Sequence, residues 1–336
     1  MRAGSVPWSQ FVQEVVDIYS LERQPKTVAK MRQVLTEFGS LVKSTSQLKP
    51  ATIARWRKLY PHRAQSTVHS LMRSLRSACE IAIASGYMLS SPLAVKQVWP
   101  ELDDPDPDAE KHHAISEIRA VLLNLRSQSG YSWHDARLYA LAATVAYTGV
   151  RKNEALHLQI PDLDFDRRCI RIVSRRPRAG GSTKMPKLKT KASAAPVGMP
   201  DELAAVLELW VAKAVAPPLV ALRRASRPAQ LWLFPGSTGA NAWTGGPPGY
   251  KPLDVLVAAG SAVGVDGFTF QSLRHSWATH GEYWGLGETM IQRQLRHTTR
   301  KTQQVYRHAD LANLATSVRA ISFVGPSERG PKVAQV

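Results

Sequence analysis

Two arginine-centred boxes stand out by residue type and spacing. In TGVRKNEAL, Arg151 follows a turn glycine and Glu154 stands three residues on; in FTFQSLRHSW, an aromatic lead-in precedes adjacent Arg274 and His275, with a neutral amide, Gln271, three residues before the arginine. A guanidinium is permanently charged and donates paired N–H groups to carboxylate or phosphate oxygens, so either box is suited to holding an anion. Taken alone, each also has a plainer reading. Arg151 is then a solvated residue at a helix start, Glu154 a first-turn acid favoured by the helix dipole, and FTFQSLRHSW a surface helix with two cations. Farther on, QLRHTTRKTQQVYRH carries His297, Tyr306 and His308. A tyrosine at helical spacing is a half-buried core residue or a nucleophile, and no histidine spacing here forms a recognised metal set. Between the boxes, Arg167 to Lys191 holds ten Lys or Arg and no acid. A solvated face usually mixes signs, so this run reads as a phosphate-contacting surface.

Taken in order and spacing, TGVRKNEALHLQIPDLDF, LKTKASAAPVGM, FTFQSLRHSWATHG and LRHTTRKTQQVYRH resemble the tyrosine recombinase, or phage integrase, family. The family's T-G-x-R-x-x-E box is matched by Thr148, Gly149, Arg151 and Glu154, and its histidine nine residues before a Y-x-H tyrosine by His297, Tyr306 and His308. The resemblance extends over residues 115–320; a weaker one, in the T-V-x-x-x-x-x-x-L-R-S run and the closing S-S-P-L, likens the N-terminal helices to the family's core-binding domain.

The resemblance implies a site-specific recombinase that cuts and rejoins duplex DNA with no ATP, metal or other cofactor. Breaking a phosphodiester demands charge stabilisation on the nonbridging oxygens, an in-line nucleophile and a proton for the leaving oxygen. Carried over, Arg151 and Arg274 serve the first need. Tyr306 is the nucleophile, forming a 3′-phosphotyrosyl bond that retains the energy of the broken linkage. A hairpin lysine supplies the proton: Lys189, the lysine before the threonine in K-T-K-A-S, with Lys187 and Lys191 as the other candidates. His297 donates to a nonbridging oxygen, Glu154 supports the cationic cluster and His275 is structural. Where the family usually reads H-x-x-R, this chain has Gln271. Glutamine donates a hydrogen bond but cannot take a proton. If the usual histidine acts as a base, its loss costs on the order of 10² to 10⁴ in rate; if it only positions, the cost is small. The other readings are a catalytically impaired DNA-binding relative and a type IB topoisomerase-like enzyme. Family assembly implies four protomers on two DNA sites, with accessory DNA-bending proteins as further partners. Residues 311–324, LANLATSVRAISFV, are apolar enough to dock on a neighbour or on their own domain.

These boxes need elements to position them. From Trp8 to Val95 the apolar spacing is helical, enough for four or five helices; Arg73 and Arg76 share a face as DNA contacts, while Leu71, Leu75, Ile81 and Ile83 offer core positions. PELDDPDPDAEK, with six acids from Glu101 to Glu110, is a linker composition. A second helical region runs from Ser116 through the apolar LYALAATVAYTGV; then CIRIV alternates, and Gly180 and Gly181 separate two basic runs, as in a short β-hairpin. Arg175, Arg176, Lys184, Lys187 and Lys191 are its phosphate contacts. Helices resume at Asp201. The expected fold is mainly α with a small antiparallel β-sheet, a two-domain clamp on DNA. Its parts are a helical core-binding (SAM-like) domain at 1–100, a linker at 101–114, a catalytic domain at 115–324 and a flexible tail at 325–336.

Composition fits that expectation. The 336 residues carry 44 Lys plus Arg against 26 Asp plus Glu, a formal charge of +18, which favours a polyanionic partner. Two cysteines, Cys79 and Cys169, support neither a disulfide framework nor a thiolate metal site. The N-terminus lacks a signal-type apolar run and residues 138–150 are too short to span a bilayer, so a cytoplasmic, nucleoid-associated protein is expected, without a membrane partner.

Overall fold

Helix α1 (Trp8–Glu22) buries Trp8, Phe11, Val15 and Val16, the spacing that places apolar side chains on one stripe. It packs with α2 (Pro25–Phe38) and α4 (Gln65–Ala84); α3 (Pro50–Leu59), opened by a proline at its first position, adds Ile53 and Trp56 to the same core. The Trp8 indole donates to the Leu35 carbonyl at 2.8 Å, and Trp56 stacks on Phe38 with centroids 4.8 Å apart. Along α4 the buried stripe is Val68, Leu71, Met72, Leu75, Ala78, Cys79 and Ala82. Leu71 and Leu75 occupy it as expected and Ile81 is half-buried, but Ile83, expected in the core, is 38% exposed. The stripe runs through Ala82, and the next side chain lies about 100° farther round the helix. Arg73 and Arg76 are both exposed.

This computed structural model describes residues 4–23, 25–101, 112–173, 195–212, 231–236, 242–243, 251–296, 318–319 and 321–323. Contacts divide the chain into two compact units, Met1–Ala109 and Glu110–Val336. Each has its own apolar core.

The second unit is built around α6 (Trp133–Thr148), on which α5 (Ile115–Gln128), α8 (Asp201–Trp210) and α10 (Phe270–Tyr283) pack; α9 (Pro252–Ser261) and α11 (Glu288–Leu295) complete its longer described helices. From Arg137 to Thr148 only Tyr139 escapes full burial. A helix apolar on every side must be enclosed, so the run LYALAATVAYTGV decides which helix is central. Ser132 caps its start, the hydroxyl accepting from the Asp135 N–H at 3.1 Å. Arg137 lies between the rings of Trp133 and Trp243, 4.4 and 3.7 Å from their centroids, and donates to the Pro235 carbonyl at 2.6 Å. Burial pushes it down to about 10, still protonated at neutral pH. It fastens the described parts of 231–243 to α6.

The sheet is small and antiparallel, in the order β1 (Leu163–Asp164), β2 (Cys169–Ile170), β3 (Val197–Gly198), with Leu163 opposite Ile170 and Cys169 opposite Gly198. The chain between β2 and β3 passes through 174–194, outside the described residues. Val318, Ile321 and Phe323, within the segment considered for docking on a neighbour, join this chain's own core; Phe323 packs edge-on against Tyr147 and Trp284. Cys79 and Cys169 are free and buried, and burial pushes the Cys79 thiol up to about 12. Among the described residues no helix is long and apolar enough to cross a membrane.

Candidate active site

The end of α6 sets the site. Gly149 closes the helix at φ 64, in the left-handed region, and its N–H returns to the Val145 carbonyl at 2.8 Å. The chain then turns through buried Val150 to Arg151, which precedes the short helix α7 (Lys152–Ala155). The Glu154 carboxylate reaches back to both ends of Arg151, accepting from its backbone N–H at 2.9 Å and from Nη1 at 3.0 Å. Arg151 remains 46% exposed while Glu154 is 15% exposed. The arginine is thus aimed and still accessible.

Arg274 arrives on α10. Phe268, Phe270, Leu273 and Trp277 are buried around it, so the aromatic lead-in serves as a packed frame. Trp277 donates to the Tyr147 carbonyl at 3.0 Å and lies against Gly149. From the other side, His113 receives a hydrogen bond from or gives one to Ser272 at 3.0 Å, and its backbone N–H donates to Ser276 at 2.8 Å. Arg274 is 5% exposed; its two terminal nitrogens donate to the carbonyls of Gly149 and Leu295, so the ends of α6 and α11 hold its guanidinium. Burial first, then the neighbouring cations Arg151 and Arg296, push Arg274 down to about 9, with Glu154 opposing them. It keeps its charge at neutral pH.

Two residues here escaped the sequence reading. Gln294 is fully buried; its side chain accepts from the Gly198 N–H at 2.8 Å and donates to the carbonyls of Gly198 at 3.0 Å and Thr148 at 3.3 Å. It joins β3, α11 and the end of α6. Arg296 ends α11 in the left-handed region at φ 51, with its side chain wholly buried and Nη2 donating to Glu154. Nothing in ETMIQRQLRH separates either from a solvated polar residue; only partners distant in the chain do.

Arg151, Glu154 and Arg274 therefore come together. Gln271 and His275 lie on the exposed side of α10, one turn from each other, with the Gln271 amide nitrogen 3.0 Å from His275 Nε2. Arg73 and Arg76 lie in the other unit, where Arg76 pairs with Glu80 at 3.9 Å. Lys184, Lys187, Lys189, Lys191, Arg175, Arg176, His297, Tyr306 and His308 fall outside the described residues. Three guanidiniums around one carboxylate leave a surplus of positive charge at the end of α6, suited to an oxyanion such as a phosphate.

The family model described as the phage integrase family matches residues 116–312, more than half of the chain. The tyrosine recombinase XerC of Bifidobacterium longum is 28% identical over 172 residues, 50% of this chain and 42% of the relative. The tyrosine recombinase XerD of Neisseria meningitidis serogroup A is 27% identical over 178 residues, 52% of this chain and 51% of the relative. The chain thus spans about half the length of the curated relatives it matches. Among solved structures, the Tn1549 transposon integrase in complex with a circular intermediate DNA is similar with a TM-score of 0.67 at 16% identity, over 90% of this chain and 96% of that one. A lambda integrase dimer bound to a COC′ core site is similar with a TM-score of 0.59 at 13% identity, over 91% of this chain and 99% of that one. At these identities the structural likeness is one of fold.

Proposed function

The chain belongs to the phage integrase family, and from that premise we propose that it is a site-specific DNA recombinase acting through a 3′-phosphotyrosyl intermediate. The observation that carries the reading is the convergence of Arg151 and Arg274 on the Gly149 turn, charged and held by Glu154 and by backbone carbonyls. Two guanidiniums in fixed positions stabilise the charge that develops on the nonbridging oxygens as the phosphorus becomes five-coordinate.

In this mechanism the Tyr306 hydroxyl oxygen attacks the scissile phosphorus and gives its proton to water, the bond from phosphorus to the 5′ oxygen breaks, and Lys189 gives that oxygen a proton. His297 donates to a nonbridging oxygen. Attack by the 5′ hydroxyl of another strand reverses the chemistry and joins new partners, so the linkage energy is conserved and no ATP is consumed. Gln271 acts as a hydrogen-bonding amide in partnership with His275. Residues 1–100 form the core-binding domain with Arg73 and Arg76 on DNA, 101–114 the linker and 115–324 the catalytic domain, whose basic run 175–191 contacts phosphates. Four protomers pair two DNA sites, in the cytoplasm at the nucleoid.

The test is a nicked suicide duplex cut from the DNA flanking the gene, with covalent protein–DNA complex read on a denaturing gel. Wild type forms the complex and Tyr306→Phe does not. Binding without any covalent complex would support the catalytically impaired relative instead. Gln271→His then separates the two roles of that position: a large gain shows that a base had been missing, and an unchanged rate supports a positional amide.

A further inference from the structure

Glu154 is claimed by two cations of opposite character. Arg151, the exposed one, takes both carboxylate oxygens through its backbone N–H and Nη1. Arg296, the enclosed one, has 0% side-chain exposure and donates to Oε2 through Nη2, while its buried Nε and Nη1 have no hydrogen-bond partner among the described residues. Its backbone is left-handed at φ 51 and ψ 43, which few residues other than glycine adopt. A buried guanidinium with one carboxylate contact on a disfavoured backbone is unfavourable locally. Such departures cluster where a site needs them.

The need is electrostatic. A carboxylate that gripped Arg151 alone would aim it and cancel its charge in the same contact. A second cation on that carboxylate leaves the trio with a net positive charge, and its exposed member faces solvent. Burial and Arg151 push Arg296 down, to about 10, and Glu154 pushes it back up; it stays protonated at neutral pH. We propose that Arg296 is a positioning residue that takes up the charge of Glu154, so that the carboxylate orients Arg151 without neutralising it and Arg151 binds a nonbridging phosphate oxygen at full charge. This rests on reading the end of α6 as a phosphodiester clamp.

The probe is inorganic phosphate, its dissociation constant read from protection of the full chain against thermal unfolding at fixed ionic strength and assigned to the site by its loss in Arg151→Gln. Arg296→Met is expected to weaken phosphate about tenfold, the size of one charge-assisted hydrogen bond. Adding Glu154→Gln to Arg296→Met restores binding, because the neutral amide still accepts from Arg151 but no longer cancels it. Arg296→Lys, which keeps the charge, stays close to wild type. Arg296→Gly removes the side chain on a backbone that glycine adopts freely, and gives the same loss as Arg296→Met if that variant folds poorly. A purely structural arginine would make the double variant at least as weak as the single one; that result, or a wild type that phosphate does not protect, overturns the inference. Covalent complex formation on the suicide duplex separates it from the recombinase reading. Phosphate binding with this pattern but no covalent complex sinks the recombinase and keeps Arg296. Normal covalent complex with unchanged phosphate binding in Arg296→Met and Arg296→Gly does the reverse.

Discussion

Replacing Gly149 by alanine perturbs the turn from which both site arginines take their positions. At φ 64 an L-residue costs about 1 kcal/mol more than glycine. The new Cβ would also lie 2.5 Å from Leu295 Cδ2 and 3.2 Å from Trp277 Cγ, inside normal contact. Overpacking of that kind costs about 1–3 kcal/mol, because Leu295 and Trp277 are both fully buried and must repack to make room. The total expected is about 2–4 kcal/mol. Gly285 supplies the control: its φ is 75 and a Cβ there meets nothing within 4 Å, so alanine incurs only the backbone cost. Urea unfolding followed by tryptophan fluorescence gives both midpoints, and unchanged m-values license the comparison. Gly149→Ala should be less stable than Gly285→Ala by about 1–3 kcal/mol. It should also cut slowly, since the Gly149 carbonyl is one of the two that hold Arg274. Equal stability of the two variants would refute the claim that Leu295 and Trp277 close on this turn.

Two further outcomes follow from the packing. Gln294→Leu leaves the Gly198 N–H and the carbonyls of Gly198 and Thr148 buried without their partner, and thermal unfolding should show a loss of about 1–3 kcal/mol. In the first unit, Arg63 grips Glu37 through two bonds of 2.8 and 3.1 Å and holds its carboxyl below the ordinary 4.5. A carboxyl depressed in the folded state stabilises above its unfolded value and loses that contribution as the pH falls through the folded one. Glu37→Gln should therefore lower stability by up to about 1 kcal/mol at neutral pH, with the difference fading below 4.5, as urea midpoints across that range would report.

The sequence revealed those parts of the fold and site whose signal is local. The unbroken apolar run of α6 marks a helix enclosed on all sides, and a turn glycine followed by Arg151 and Glu154 carries its own geometry in a few residues. Ile83 shows where spacing misleads: its type fits a core, but the stripe of α4 is completed by the small residues Ala78, Cys79 and Ala82, which leaves Ile83 beyond the stripe's edge. Arg296 and Gln294 were hidden for a different reason. A cation or an amide near the end of an amphipathic helix looks solvated until Glu154 and Gly198, remote in the chain, are brought against it. The apolar residues near the C-terminus pose the same problem, since periodicity does not say whether Val318, Ile321 and Phe323 cover their own core or a neighbour's; Tyr147 and Trp284 receive Phe323 within this chain.

On the proposed mechanism one tyrosine becomes covalently joined to DNA beside a phosphate clamp made by Arg151 and Arg274. The direct measurement is to trap wild type on the nicked duplex, digest the adduct and sequence the DNA-linked peptide by mass spectrometry. The expected result is a single peptide bearing Tyr306 linked through phosphate to a 3′ end, lost in Tyr306→Phe and much reduced in Arg151→Gln and Arg274→Gln. An adduct on any other residue, or one that persists in Tyr306→Phe, would contradict it.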